Sequence, residues 1–196
     1  MDDTRNDKTI TGQPDDPHTR HRGAPDFEIV IPEGDTHPRS TCRACGFVHY
    51  VNPKVVAGAV VVHDGKILLC KRAIEPRLGY WTIPAGYMEL NESVEDAARR
   101  EAREEACADI TLDALLAVYS IRRLSQVQIF YKARLEEGQF APGVESLDVR
   151  LFAWEDIPWS ELAFPSVHWV LRHYASVRSA SVFAPFSNPP GESGDF

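Results

Sequence analysis

The chain has 196 residues, enough for one compact domain with appendages, and its 43% apolar content is ordinary for a globular protein. A formal charge of −8 argues against a nucleic-acid partner gripped through its phosphates, although a polyphosphate can still bind an acidic protein through metal ions. The longest apolar run, Val55 to Val62, is too short to span a bilayer, and four cysteines do not make a disulfide scaffold in a chain of this length.

Residues 1–25 mix Pro, Asp, His and Arg without an apolar core, which predicts a disordered tail and no signal peptide, hence a cytoplasmic protein with no membrane partner. The next segment, 26–53, holds a C-x2-C knuckle, Cys42-Arg43-Ala44-Cys45, a turn that commonly gives two thiolates to Zn²⁺. Structural zinc needs four ligands. Upstream, His18 and His21 stand at H-x2-H spacing and His37 lies close to the knuckle. Two readings stay open: a Cys2His2 zinc site, or a vestigial knuckle with histidines in a solvated tail.

The main domain is expected over 54–178. Val55 to His63 is a β-branched strand, Asp64-Gly65 a hairpin turn, and Lys66 to Lys71 the returning strand. Arg72 follows, either as a planar fork for a phosphate or in a surface ion pair. Tyr80 and Trp81 offer rings for stacking, with core packing the alternative for Trp81. Thr82 to Gly86 reads as a strand end and loop. A helix over 93–106 comes next, with Asn91 and Ser93 as candidate caps. Further strands are predicted at Ile110 to Tyr119, Val127 to Leu135 and Val149 to Ala153. A second helix runs from Ser166 to Val177, and 179–196 is expected to be a flexible tail. Strands covered by helices on two sides give an α/β/α sandwich.

The helix at 93–106 carries the chemistry. Glu101, Glu104 and Glu105 fall within an arc of about 100° on one face. Like charges so placed repel one another, and a hard divalent cation, Mg²⁺ or Mn²⁺, removes the repulsion. From Glu89 to Glu105 seven acids face three arginines, a local balance of −4. Spacing alone is equally compatible with a solvated acidic face in which Arg100 and Glu104 pair at i,i+4.

The full pattern resembles the Nudix box, G-x5-E-x7-R-E-U-x-E-E-x-G-U. Gly86, Glu92, Arg100-Glu101 and Glu104-Glu105 take its polar positions. Cys107 stands where its second glycine should be, and small Ala102 and Ala108 fill two bulky apolar positions. The resemblance implies a Nudix fold with a mixed sheet, metal ions held by Glu101, Glu104 and Glu105 near the Gly86 carbonyl, and a Glu92–Arg100 salt bridge. It makes Glu104 and Glu105 candidates for the general base. Glu145 is another, since Nudix enzymes often recruit a carboxylate from outside the box; a solvated loop acid is its alternative.

Further motifs run in order: Ile31-Pro32-Glu33-Gly34-Asp35, the C-x2-C, Tyr50-Val51-Asn52-Pro53-Lys54, Phe140-Ala141-Pro142-Gly143-Val144-Glu145, and Leu162-Ala163-Phe164-Pro165. They resemble a zinc-ribbon subfamily of FAD/ADP-ribose pyrophosphatases over about residues 29 to 178. Members usually carry two C-x2-C pairs; here His18 and His21 stand near the place of the missing one. The implied reaction is metal-dependent hydrolysis of a small dinucleotide or nucleotide-sugar, FAD to FMN and AMP, or ADP-ribose to AMP and ribose 5-phosphate. Rival readings are an NADH pyrophosphatase and a non-catalytic ADP-ribose-sensing domain. Nudix proteins are often dimers, so a homodimer is the implied assembly.

Overall fold

The computed structural model describes residues 26–194, so the segment 1–25, with His18 and His21, lies outside the described residues. The chain divides into one unit ending at Val51 and another beginning at Asn52. The first holds three short antiparallel strands, β1 (Phe27–Val30), β2 (Arg39–Cys42) and β3 (Val48–His49), in that order across the sheet. The C-x2-C knuckle turns between β2 and β3. The Gly46 N–H donates to the Cys42 carbonyl at 2.8 Å, and the Cys42 N–H to the Phe47 carbonyl at 2.8 Å. Backbone N–H groups of Cys45 and Ala44 aimed at the Cys42 sulfur lower its pKa. His37 is engaged elsewhere, with Thr36 at 2.8 Å.

In the second unit β4 (Lys54–His63) and β5 (Lys66–Arg72) form the hairpin, turned by Asp64 and Gly65 at φ 48° and 75°. Positive φ at both central residues matches the twist of the flanking strands. Then come β6 (Trp81–Thr82), β7 (Ala85–Tyr87), helix α1 (Val94–Ala106), β8 (Ile110–Ile121), β9 (Gln126–Leu135), β10 (Ser146–Phe152) and helix α2 (Pro165–Val177). The sheet order is β10-β5-β4-β9-β8, with β6 on β5 and β7 on β4. Among the named strands of the described residues only β4 and β9 pair in parallel, so the sheet is mixed.

Side chains alternate across this sheet, which sends the two helices to opposite faces. Val60, Ile67 and Leu69 pack with Val167, Val170 and Leu171 of α2. Ala57, Ala59, Val61 and Leu68 pack with Ala97, Ala98, Ala102 and Ala106 of α1. The result is an α/β/α sandwich. The alanines of α1 are wholly buried. Their small size brings the helix axis close to the sheet, and its longer glutamates reach backbone on the next layer.

The stretch expected to fray from 179 onward is held against the second unit as far as it is described. Phe186 exchanges backbone hydrogen bonds with Leu116 and Val118 at the edge of β8. Its ring stacks on His173 at 4.2 Å, and His173 Nδ1 lies 2.6 Å from the Tyr119 hydroxyl. Among the described residues no helix is long and apolar enough to cross a membrane.

Candidate active site

Helix α1 starts at Ser93, whose hydroxyl accepts the Asp96 N–H at 3.1 Å, while acids in the first turn complement the helix dipole. That start fixes the helix register. Glu101 and Glu105, one turn apart, point inward and are only 7% and 5% exposed. Glu104 points to the rim, its side chain 56% exposed. Glu101 lies directly on Gly86: any Cβ at that position would strike its carboxylate. Glu105 accepts the Ala85 N–H at 3.2 Å.

Arg100 ties these acids to the preceding loop. Its Nε and Nη2 fork onto the two Glu92 oxygens at 3.0 and 2.8 Å, and Nη2 also donates to the Tyr87 carbonyl at 2.9 Å. Nη1 donates to both Glu101, at 2.7 Å, and Glu104, at 2.8 Å. A third bond to Glu92, from the Glu89 N–H at 2.6 Å, closes the loop. Hydrogen bonds from Arg100, then from Glu89, hold the Glu92 carboxyl down at about 2.

The inward acids behave in the opposite way. Burial raises Glu101 above the usual carboxylate range, against the pull of Arg100. Burial and the neighbouring Glu101 charge push Glu105 up to about 8. Both carboxyls are costly to ionise where they stand, burial being the larger cause and the neighbouring acids the smaller, and a bound cation would offset that cost. The donor set is all oxygen, three carboxylates beside a Gly86 backbone that carries no side chain, and it fits a hard divalent cation. Among the described residues no three such groups already stand in a ligand arrangement. Arg100 Nη1 stands between Glu101 and Glu104 and donates to both.

The loop before β10 reaches the same spot by packing on the last turn of α1. The Ala141 N–H donates to the Ala106 carbonyl at 2.9 Å and the Gly143 N–H to the Glu105 carbonyl at 3.1 Å. These carbonyls lack partners within the helix, so the loop completes them. A side chain at 143 would collide with the Glu104 carbonyl. Glu145 is thereby fixed beside the box acids, and its charge adds to the upward push on Glu101 and Glu105.

A cavity of about 550 Å³ opens here, lined by Gly86, Arg100, Glu101, Glu104, Glu145 and Arg72, among others. Arg72 lies on its wall, with Nε donating to the Pro76 carbonyl at 2.8 Å and the guanidinium 5.2 Å from the Phe164 ring. The cavity therefore gathers a cation, a row of carboxylates and an apolar platform. Tyr80 does not line it but faces a neighbouring hollow, under the Arg77 guanidinium at 5.1 Å. Trp81 is buried in the core, edge-on to Phe152. Sequence reasoning missed Gln126 and Gln128, which line the cavity; their period-2 spacing on β9 was the signal that could have found them.

Comparison with known proteins follows the same outline. The NUDIX domain model matches residues 52–173, and the Nudix N-terminal model, a zinc ribbon, matches residues 23–51. A NUDIX hydrolase from Nitrosomonas europaea superposes with a TM-score of 0.79 at 43% identity, covering 85% of this chain and 96% of that one. An ADP-ribose pyrophosphatase of Methanocaldococcus jannaschii is 31% identical over 119 residues, 59% of this chain and 69% of the relative. The NAD-capped RNA hydrolase NudC of Stutzerimonas stutzeri is 32% identical over 120 residues, 60% of this chain but only 42% of its own length.

Proposed function

The chain belongs to the Nudix hydrolase family, and from that premise we propose that it cleaves the diphosphate of a nucleoside diphosphate linked to a second group, with ADP-ribose and FAD as the leading substrates. The observation that carries this reading is the meeting of Glu101, Glu104, Glu145 and Arg72 at one cavity, beside a glycine that leaves no room for a side chain, with Glu105 buried within reach of the Glu101, Arg72 and Glu145 charges. Cleavage of ADP-ribose would give AMP and ribose 5-phosphate; cleavage of FAD would give AMP and FMN.

Glu101, Glu104 and Glu105 are the residues that would hold Mg²⁺ or Mn²⁺, which supplies neutralisation of the diphosphate oxygens and acidifies bound water. The remaining roles fall to the chain itself. The Arg72 guanidinium clamps a phosphate oxygen as a planar fork. A Glu145 carboxylate oxygen takes the proton of the attacking water as the water oxygen bonds to one phosphorus. The bridging P–O bond then breaks and the second phosphate departs. Glu92 pins Arg100, which keeps the loop from Tyr87 to Glu92 against the helix. Cys42 and Cys45 would supply two zinc ligands in the ribbon, the rest coming from His18 and His21. A cytoplasmic homodimer is the assembly we favour.

Similarity to an NAD-capped RNA hydrolase supports a second reading, an NADH-type pyrophosphatase. A panel of ADP-ribose, FAD and NADH, with Mg²⁺ or Mn²⁺ and liberated AMP as the readout, separates them. AMP from ADP-ribose or FAD well ahead of NADH is the expected result. Preference for NADH selects the second reading, and no turnover of any diphosphate sinks both.

A further inference from the structure

Next to the carboxylate cavity, on the far side of Phe164, lies a second hollow of about 360 Å³. Its lining runs against the charge of the chain. Arg77, Arg172, His168 and Ser160 line it, and none of its lining residues, all of them described, is acidic. In a protein of net charge −8 that is a local reversal of sign. Helix α2, 13 residues long, starts at this wall with Pro165 as its first residue, and its cap residue Phe164 supplies no side-chain hydrogen bond. The positive end of the helix dipole adds to the guanidiniums.

The two arginines are held by their faces. Arg77 lies 5.1 Å from the Tyr80 ring and Arg172 lies 5.9 Å from the Trp159 ring. Stacking on Trp159 fixes the Arg172 guanidinium through its π face, whereas an oxyanion is gripped through the in-plane N–H edge. Burial and the Arg172 charge both lower the pKa of His168, consistent with positive potential in the hollow. Four features thus converge on one small space: two guanidiniums, an imidazole and a helix start.

We propose that this hollow is a second anion site, separate from the carboxylate cavity, that takes a phosphate monoester. A monoester suits it because the compact dianion can accept several charge-assisted hydrogen bonds at once. The inference rests on the function proposed above only for the source of its ligand: water cleavage of a diphosphate releases two monoesters.

The test uses the full chain in excess EDTA, so that neither metal nor turnover enters. Calorimetric titration with AMP, inorganic phosphate and adenosine is expected to give saturable one-site binding of AMP and phosphate, with no heat from adenosine. Arg172→Gln should weaken AMP binding at least tenfold, and Arg77→Gln provides an independent second variant, each checked for an unchanged melting temperature. Arg134→Gln, at a surface ion pair with Asp113 outside both cavities, should leave the titration unaltered, and Arg72→Gln reads any binding at the other cavity. Binding of AMP much tighter than phosphate marks a nucleotide as the ligand, and equal binding marks any monoester. Absence of saturation, adenosine binding as well as AMP, or loss in Arg72→Gln with both hollow variants unaffected would overturn the proposal. Because no hydrolysis is measured, failure of the substrate panel leaves this result standing.

Discussion

Gly143 sits against the Glu104 carbonyl so tightly that a single added methyl group would collide with backbone. The contact matters because the same loop positions Glu145 two residues later. Gly143→Ala must therefore push the loop off the end of α1, breaking the hydrogen bonds to Ala106 and Glu105. A stability loss of about 1–3 kcal/mol is expected from such overpacking. Turnover should fall with it. Glu145→Gln is the control: it should lose turnover with no change in melting temperature. A Gly143→Ala protein as active and stable as the parent would show that the loop does not depend on this contact.

Glu104 is the most exposed of the box acids, and it pairs with Arg100 at 2.8 Å. Its removal should leave the fold alone, since an exposed pair contributes little to stability. Glu104→Gln is expected to lower metal-dependent turnover by about 100-fold or more, equivalent to about 2.7 kcal/mol of barrier. Circular dichroism and the melting curve should match the parent. Undiminished hydrolysis in this variant would take α1 out of the mechanism.

The long strands were legible because apolar residues and a positive-φ turn at Asp64-Gly65 announce them. Short β6 and β7 carry too few residues for any period to emerge. Tyr80 illustrates a subtler failure. Neighbours in an extended segment point to opposite sides, so burying Trp81 in the core turns Tyr80 away from the cavity that holds Arg72. The i,i+4 pair of Arg100 and Glu104 could be read from spacing; that the same Nη1 also serves Glu101 depends on side-chain geometry. The closing of the C-terminal segment on β8 through Phe186 and Asn188 had no periodic signal, because a few scattered side chains and an edge of sheet backbone carry it.

Glu92 gives a pH dependence whose sign can be worked out. Its carboxyl is held at about 2 in the folded protein against an ordinary value of 4.5. The unfolded chain therefore binds more protons between those values. Stability from this group is complete above about 4.5 and is lost as pH falls towards 2. Urea midpoints of the parent and Glu92→Gln, measured from pH 6 to pH 2.5, should converge as the medium is acidified. Taking the difference cancels Glu101 and Glu105, which both proteins share. A gap that stays constant across that range would mean the Glu92–Arg100 pair carries no pH-linked stability.

Cys107 closes α1 in the left-handed region, at φ 46° and ψ 36°, where a side chain meets its own backbone. The conformation is imposed from both sides. The Cys107 N–H reaches back to the Arg103 carbonyl at 2.9 Å, the Ala108 N–H to the Ala102 carbonyl at 3.1 Å, and Ala108 is fully buried. The thiol returns little, with its nearest polar partner, the Pro142 carbonyl, 4.0 Å away. A non-glycine residue in this region costs roughly 1–2 kcal/mol, and glycine's greater freedom in the unfolded chain gives part of that back. Cys107→Gly should therefore raise stability by about 1 kcal/mol. Thermal melts under reducing conditions measure it, and turnover should not change because Glu101, Glu104 and Glu105 keep their register. A lower melting temperature would mean that the cysteine side chain holds the helix end more firmly than its strain loosens it.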